Sequence, residues 1–139
     1  MQRRKNSRKR HAKKSYLFIV DGQTEMWYLQ LMKKYENFPR IDIKPELAKK
    51  KKLNELFELV SSYSLIYDKV YWLIDLDIIL QNDQVDQLKV FITKLKKNNS
   101  VVVLINNPCL EFWFLIHFKE TAKVFPICSG VESELKKQK

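Results

Sequence analysis

The sequence encodes an α/β fold: three layers, α/β/α, around a mostly parallel four-stranded central sheet. Two patterns carry that reading. Short runs rich in branched and aromatic residues fall at 16–20, 40–44, 70–75 and 100–105. Segments with apolar residues at helical spacing lie between and after them. Apolar runs that barely alternate suit strands buried on both faces. Regular strand–helix alternation favours a parallel sheet flanked by helices on both sides.

Tyr16-Leu17-Phe18-Ile19-Val20 is the first strand. Thr24 can then cap a helix whose apolar face is Tyr28, Leu31, Met32 and Tyr35, the i, i+3, i+4, i+7 spacing. Asn37-Phe38-Pro39 breaks it. Residues 40–44 form a short strand with Ile41 and Ile43 on one side. Pro45 suits the first turn of the next helix, which buries Leu53, Leu56, Phe57 and Val60 and exposes a lysine run. The third strand runs from Val70 to Asp75. Asn82 or Asp83 starts a helix with Val85, Leu88, Ile92 and Leu95 inward, and Asn98-Asn99 ends it. Ser100 to Ile105 is the fourth strand. Asn107 as N-cap and Pro108 at the first helical position open an apolar helix over 110–118. Beyond about residue 120 the signals are weak.

A chain of 139 residues, 45% hydrophobic, suits one domain with one core, expected over 15–139. No stretch approaches the roughly 20 apolar residues that span a membrane. The apolar run after the basic start is too short for a signal peptide and lacks a small-residue cleavage site. Cys109 and Cys128 fit no CxxC pattern and no dense disulfide framework, so a reducing, cytoplasmic setting is the default.

The net charge of +10 is unevenly spread. Arg3, Arg4, Lys5, Arg8, Lys9, Arg10, Lys13 and Lys14 precede the first acid, Asp21. A tail over 1–14 this rich in like charge does not fold alone and is expected to be disordered. Lys49, Lys50, Lys51 and Lys52 form a second run. Clustered cations attract phosphate backbones through counterion release, so both segments are nucleic-acid-binding candidates. The plainer reading is a solvated tail with no partner.

Asp21 ends the first strand, and Asp75 and Asp77 end the third. Acids at the C-terminal ends of such strands face the crevice where open α/β sheets bind ligands. In extended backbone Asp75 and Asp77 leave the same face, a spacing suited to a hard divalent cation. The alternative is that they cap a loop. Glu111 falls in the first turn of the last helix, near the same edge, as a helix-cap helper or a member of the acidic cluster. Asp21, Asp75, Asp77 and Glu111 are therefore expected to converge. His117 reads as a core or surface residue, and Phe112 to Ile116 as packing. No Ser, Cys or Tyr nucleophile is indicated, although a spatial approach of Cys109 to His117 stays open.

Three motifs together resemble the RloB family, Toprim-like proteins linked to bacterial restriction and phage-abortive-infection loci. They are Asp21-Gly22-Gln23-Thr24-Glu25, Asp68-Lys69-Val70 leading to Ile74-Asp75-Leu76-Asp77, and Asn107-Pro108-Cys109-Leu110-Glu111-Phe112-Trp113 with His117-Phe118. The last is long and specific. The resemblance implies a compact Toprim-like (Rossmann-like) fold. It also implies a Mg²⁺ (or Mn²⁺) site at Asp21, Asp75 and Asp77, and phosphodiester chemistry in a phage-defence setting. An AAA-type ATPase from the same locus is the implied protein partner, the setting is bacterial cytoplasm, and self-association is left open. Two departures stand out. The family motif has Glu where this chain has Asp21, one methylene shorter, and such proteins usually continue with helical sequence beyond the position of Lys139.

The expected activity is that of a metal-dependent nuclease, with RNA or tRNA among its candidate substrates. Asp75 and Asp77 would hold the metal, and Asp21 would complete its shell or act as acid or base. Glu25 and Glu111 are further catalytic candidates. The alternative, from a different class, is a catalytically silent nucleic-acid-binding or ATPase-regulating module whose acids are fold caps.

Overall fold

The computed structural model describes residues 13–38, 40–44 and 50–138. Arg3, Arg4, Lys5, Arg8, Lys9, Arg10, Lys49 and Pro45 lie outside them, as does most of the segment expected to be a disordered tail. Four strands, β1 (Tyr16–Ile19), β2 (Ile41–Lys44), β3 (Lys69–Asp75) and β4 (Val101–Asn106), form an all-parallel sheet in the order β2-β1-β3-β4. The four expected strands are thus the four observed, each within a residue or so at either end. The register sets Ile19 beside Trp72 and Asp75 beside Asn106, so the strands finish at a common edge.

One face of the sheet carries the main core. Leu17, Ile19, Val70, Trp72 and Ile74 pack against α2 (Leu53–Tyr63) and α4 (Val85–Leu95). Those helices contribute Leu53, Leu56, Val60, Leu88, Phe91 and Leu95, with Phe57 and Phe91 stacked at 4.2 Å. Helix α2 follows its expected pattern. It begins at Leu53, with the Glu55 carboxylate accepting from the Lys52 backbone N–H at 2.7 Å. Opposite them, α1 (Gln23–Tyr35) packs Met26 and Leu29 over Val20, Leu73 and Phe18.

The face of α1 differs from expectation. Leu31, Met32 and Tyr35 are exposed, and Glu25 and Met26 are buried instead. The helix is apolar on most sides, with Met26, Trp27, Tyr28, Leu29, Leu31 and Met32 in one stretch. Periodicity therefore does not single out one stripe. Its rotation is fixed by Met26 and Leu29 over the sheet and by Tyr28 against α5 (Glu111–Phe118). The Tyr28 ring meets Phe114 at 5.2 Å, and Trp113 Nε1–H donates to the Tyr28 hydroxyl at 3.0 Å.

Two helices were not anticipated. α3 (Leu76–Gln81) starts directly at the end of β3, with no Gly or Pro between, and sends Ile79 into the core. α6 (Cys128–Lys136) packs on α5 through Leu115, Phe125 and Val131. The start of α5 also moves. Asn107 and Pro108 do not open it; Leu110 is its N-cap, and the Asn107–Pro108 peptide is cis. Residues 107–110 are instead occupied at the sheet edge, where Pro108 O accepts from Asp77 N–H and Leu110 N–H serves Asp75. Trp113 and Ile116, read as packing residues, are partly exposed; Leu115 carries the burial. Among the described residues, no helix is long and apolar enough to cross a membrane.

Candidate metal centre

The strand ends bring three carboxylates together. Glu25 from the first turn of α1, Asp75 from the end of β3 and Glu111 from the start of α5 each offer one oxygen, all within 4.8 Å of one another. Each is placed by local structure. Glu25 is 7% exposed and folds back over Gly22. A Cβ at residue 22 would lie 1.8 Å from Glu25 Oε2, so the glycine supplies room for the acid. Its backbone is ordinary extended chain, φ −108°, so space and not conformational freedom selects glycine here. Asp75 Oδ1 accepts from Asn106 Nδ2 at 2.9 Å and from Leu110 N–H at 3.2 Å. Those two donors fix the carboxylate and leave its second oxygen for other partners.

Asp77 sits elsewhere than extended geometry implies. β3 stops at Asp75, and Asp77 lies in the first turn of α3, so the two acids do not share a strand face. Asp77 is 3% exposed. Its Oδ2 accepts from Cys128 N–H at 3.0 Å, and its Oδ1 is buried with no partner among the described residues. Asp21 follows β1 at the same sheet edge but stays outside the three-acid group. Its Oδ1 accepts from Lys51 N–H at 3.3 Å. Asp21, Asp75 and Glu111 do lie toward one sheet edge, but they do not all converge as expected. The close group exchanges Asp21 and Asp77 for Glu25 and Glu111.

The electrostatics match this division. Burial pushes the Asp75 carboxyl up to about 7, and the adjacent carboxylates of Glu25 and Asp77 add to the rise against the opposing Asn106 hydrogen bond. A hydrogen bond between the Glu25 and Asp75 side chains is among the causes of the rise. Burial also raises Glu111, helped by the charges of Asp75, Glu132 and Asp77. Asp21 is raised by burial, but the Lys51 N–H and the charges of Lys50 and Lys51 pull against the rise.

Several neighbours gave no signal in sequence. Gly22 lies within the first motif without a role of its own, and Asn106 is named in no motif. Cys109 and Cys128, 19 residues apart, form a disulfide, where the absence of a CxxC pattern or dense framework makes a reducing setting the default from sequence. Spacing alone could not reveal this, because Cys128 lies on the unanticipated α6. His117 stays away from Cys109's partnership. Its Nδ1–H donates to the Trp113 carbonyl within its own helix at 2.6 Å.

The basic residues separate by location. Lys50, Lys51 and Lys52 precede α2, close to Asp21 and the acidic edge. Lys13 and Lys14 lie exposed ahead of Ser15, whose N–H and Oγ–H donate to Asp68 just before β3. That is the opposite end of the sheet. No curated protein and no solved structure matches the chain. A family model described as RloB-like protein matches residues 16–139, every strand and helix described above included. The chain belongs to the RloB-like family.

Proposed function

We propose that this protein is a metal-dependent nucleic-acid phosphodiesterase acting at the Glu25–Asp75–Glu111 edge. The observation that carries the reading is the convergence of those three carboxylates beside a lysine run. The donor set fits a hard divalent cation such as Mg²⁺ or Mn²⁺, because every ligand atom is a carboxylate oxygen. Two further features fit it. Burial and neighbouring carboxylates push Asp75 up, a repulsion that a cation would relieve, and Asp77 Oδ1 is buried with no partner among the described residues. Glu25, Asp75 and Glu111 would hold the cation, with Asp77 close behind. When bound, it would neutralise charge on the scissile phosphate and help ionise the attacking water.

The chain's own residues supply the rest. Asn106 and Leu110 N–H keep Asp75 in place. Gly22 lets Glu25 fold inward. Glu111, at the start of α5, brings the third carboxylate oxygen to the group. Lys50, Lys51 and Lys52 hold phosphates beside the edge, and Lys13 and Lys14 extend the path at the far end of the sheet. An RNA or tRNA substrate, a phage-defence role, a partner ATPase and a cytoplasmic setting complete the proposal; the RloB-like resemblance supports them.

One observation favours a second reading. Asp21, the acid that the family motif places first, turns to the Lys51 backbone. A silent nucleic-acid-binding or ATPase-regulating module would tolerate that arrangement. Incubating the protein with labelled tRNA, single-stranded DNA and duplex DNA in Mg²⁺, Mn²⁺ or EDTA separates the two. Cleavage that needs the metal and is lost in Asp75→Asn supports the phosphodiesterase. Binding without cleavage under every condition supports the module.

A further inference from the structure

Glu111 faces two groups at once. One is the carboxylate cluster. The other is the pair Cys109 and Cys128, whose Cα atoms are 5.7 Å apart. Glu111 Oε2 lies 3.3 Å from Cys128 Sγ, and one atom from each of Cys109, Glu111 and Cys128 falls within 4.8 Å of the others. The surroundings are built. Cys109 is 2% exposed among Leu115, Phe125 and Val131. Cys128 is held by its N–H bond to Asp77, whose second oxygen is buried with no partner among the described residues. These are the only two cysteines in the chain.

We propose that Cys109, Cys128 and Glu111, with the cysteines reduced, form a site for one thiophilic divalent cation of the zinc class. Two thiolates and one carboxylate are an ordinary donor set for such an ion, and three protein ligands leave its fourth position to water. The geometry needs little change. Zn–S bonds of about 2.3 Å at a tetrahedral angle set the sulfurs about 3.8 Å apart. Backbones 5.7 Å apart reach that by rotating the cysteine side chains. Opening the disulfide takes two electrons and two protons from a dithiol, which is left as a disulfide. Cation binding then displaces the thiol protons. The same two cysteines thus have two states, a covalent tie from the start of α5 to α6 and a metal site that shares Glu111 with the acidic edge. The soft site does not depend on whether that edge cleaves anything.

Cobalt(II) tests this directly, because thiolate ligation gives a charge-transfer absorption that carboxylates do not. The full chain is reduced with a phosphine, which becomes its oxide as water supplies the oxygen and the two thiol protons. It is freed of reductant under anaerobic conditions and titrated with Co²⁺, then with Zn²⁺. The expected result is a charge-transfer band saturating at one equivalent in the reduced protein, absent from the oxidised protein and removed by Zn²⁺. Glu111→Gln should weaken Co²⁺ binding about tenfold or more, while Asp75→Asn should leave the band in place. The oxidised and reduced forms of the unaltered chain already decide the main point, so a cysteine variant that fails to fold costs nothing. Identical spectra before and after reduction would overturn the site. A band of unchanged affinity in Glu111→Gln would overturn the shared ligand.

Discussion

Asp21 and Asp75 end neighbouring parallel strands at one sheet edge, yet they occupy opposite electrostatic settings. Both carboxyls are pushed up by burial. At the β1 end, the Lys51 N–H and the charges of Lys50 and Lys51 work against that push. At the β3 end, Glu25 and Asp77 reinforce it and carry Asp75 to about 7. The first acid is already compensated by protein cations. The second sits among acids, and neighbouring carboxylates add to its rise. On the proposed function, a strand-end acid serves as a ligand where neighbouring acids reinforce its charge, not where cations already offset it.

The largest test of that contrast is the pair Asp75→Asn and Asp21→Asn. Asn at 75 keeps an oxygen for the Asn106 and Leu110 donors and removes one charge from the cluster. Mg²⁺ affinity by calorimetry should fall about 100-fold, and any cleavage with it. Asp21→Asn should change affinity by less than about tenfold, since Asp21 is not among the three close acids. Equal losses in the two variants would erase the distinction between the strand ends.

Gly22→Ala probes the same cluster without touching a charge. The added methyl collides with Glu25 Oε2, the far end of a flexible side chain. Glu25 should swing away at little cost to folding, so Tm should move by less than about 4 °C. Mg²⁺ affinity should drop about tenfold as one carboxylate leaves. A large loss of Tm with unchanged affinity would mean that the glycine serves the fold and not the acid.

The pH dependence of stability follows from the raised Asp75. Its carboxyl titrates near 3.8 in the unfolded chain and near 7 in the folded one. Between those values the folded state holds the extra proton, so metal-free stability should fall as pH rises from about 4 to about 7. Asp75→Asn should flatten that slope and raise Tm at pH 8 by roughly 3–6 °C. Mg²⁺ should restore much of the lost stability in the unaltered protein, because it binds only the folded cluster. A Tm that climbs with pH across this window would contradict the raised Asp75.

Much of this was legible in the sequence, and the remainder was hidden for identifiable reasons. Val70 to Ile74 and Val101 to Ile105 are dense apolar runs, so both strands and the edge at which they end could be read directly. Asp75 followed from that edge. The rotation of α1 did not, because its apolar residues surround the helix, and with it went the inward turn of Glu25. Asp77 was assigned by strand periodicity that stops two residues too early. The cysteine pair depends on α6 packing back on α5, a contact between segments that no local pattern links. Local chemistry predicts elements well; it does not predict which side of an element meets a distant one.

Lys50 and Lys51 offer a gentler probe of the β1 end. Replacing both with Gln removes two charges beside Asp21 and, on the proposed function, two phosphate contacts at the acidic edge. The slope of log affinity against log salt for nucleic acid should fall by about 1.4–1.8 units. Asp21 should be pushed further up as its cationic neighbours go, and Mg²⁺ affinity at Asp75 should barely move. A salt slope that does not change would place the nucleic-acid path away from this edge.

Asp21→Glu should have the smallest effect and is the sharpest probe of the comparison. The family motif has Glu at this position, and the simplest expectation is that the missing methylene weakens the site. The arrangement at the β1 end argues otherwise. Asp21 already satisfies the Lys51 N–H at 3.3 Å in a half-buried position, and Glu25 stands with Asp75 in the close group. An added methylene must displace that hydrogen bond or crowd its surroundings, at a cost of about 0.5–1.5 kcal/mol in chemical denaturation. Mg²⁺ affinity should stay within about threefold, and cleavage with it. A gain of tenfold or more would show that a longer acid at the β1 end joins the cluster, and that the two strand ends differ only in side-chain reach.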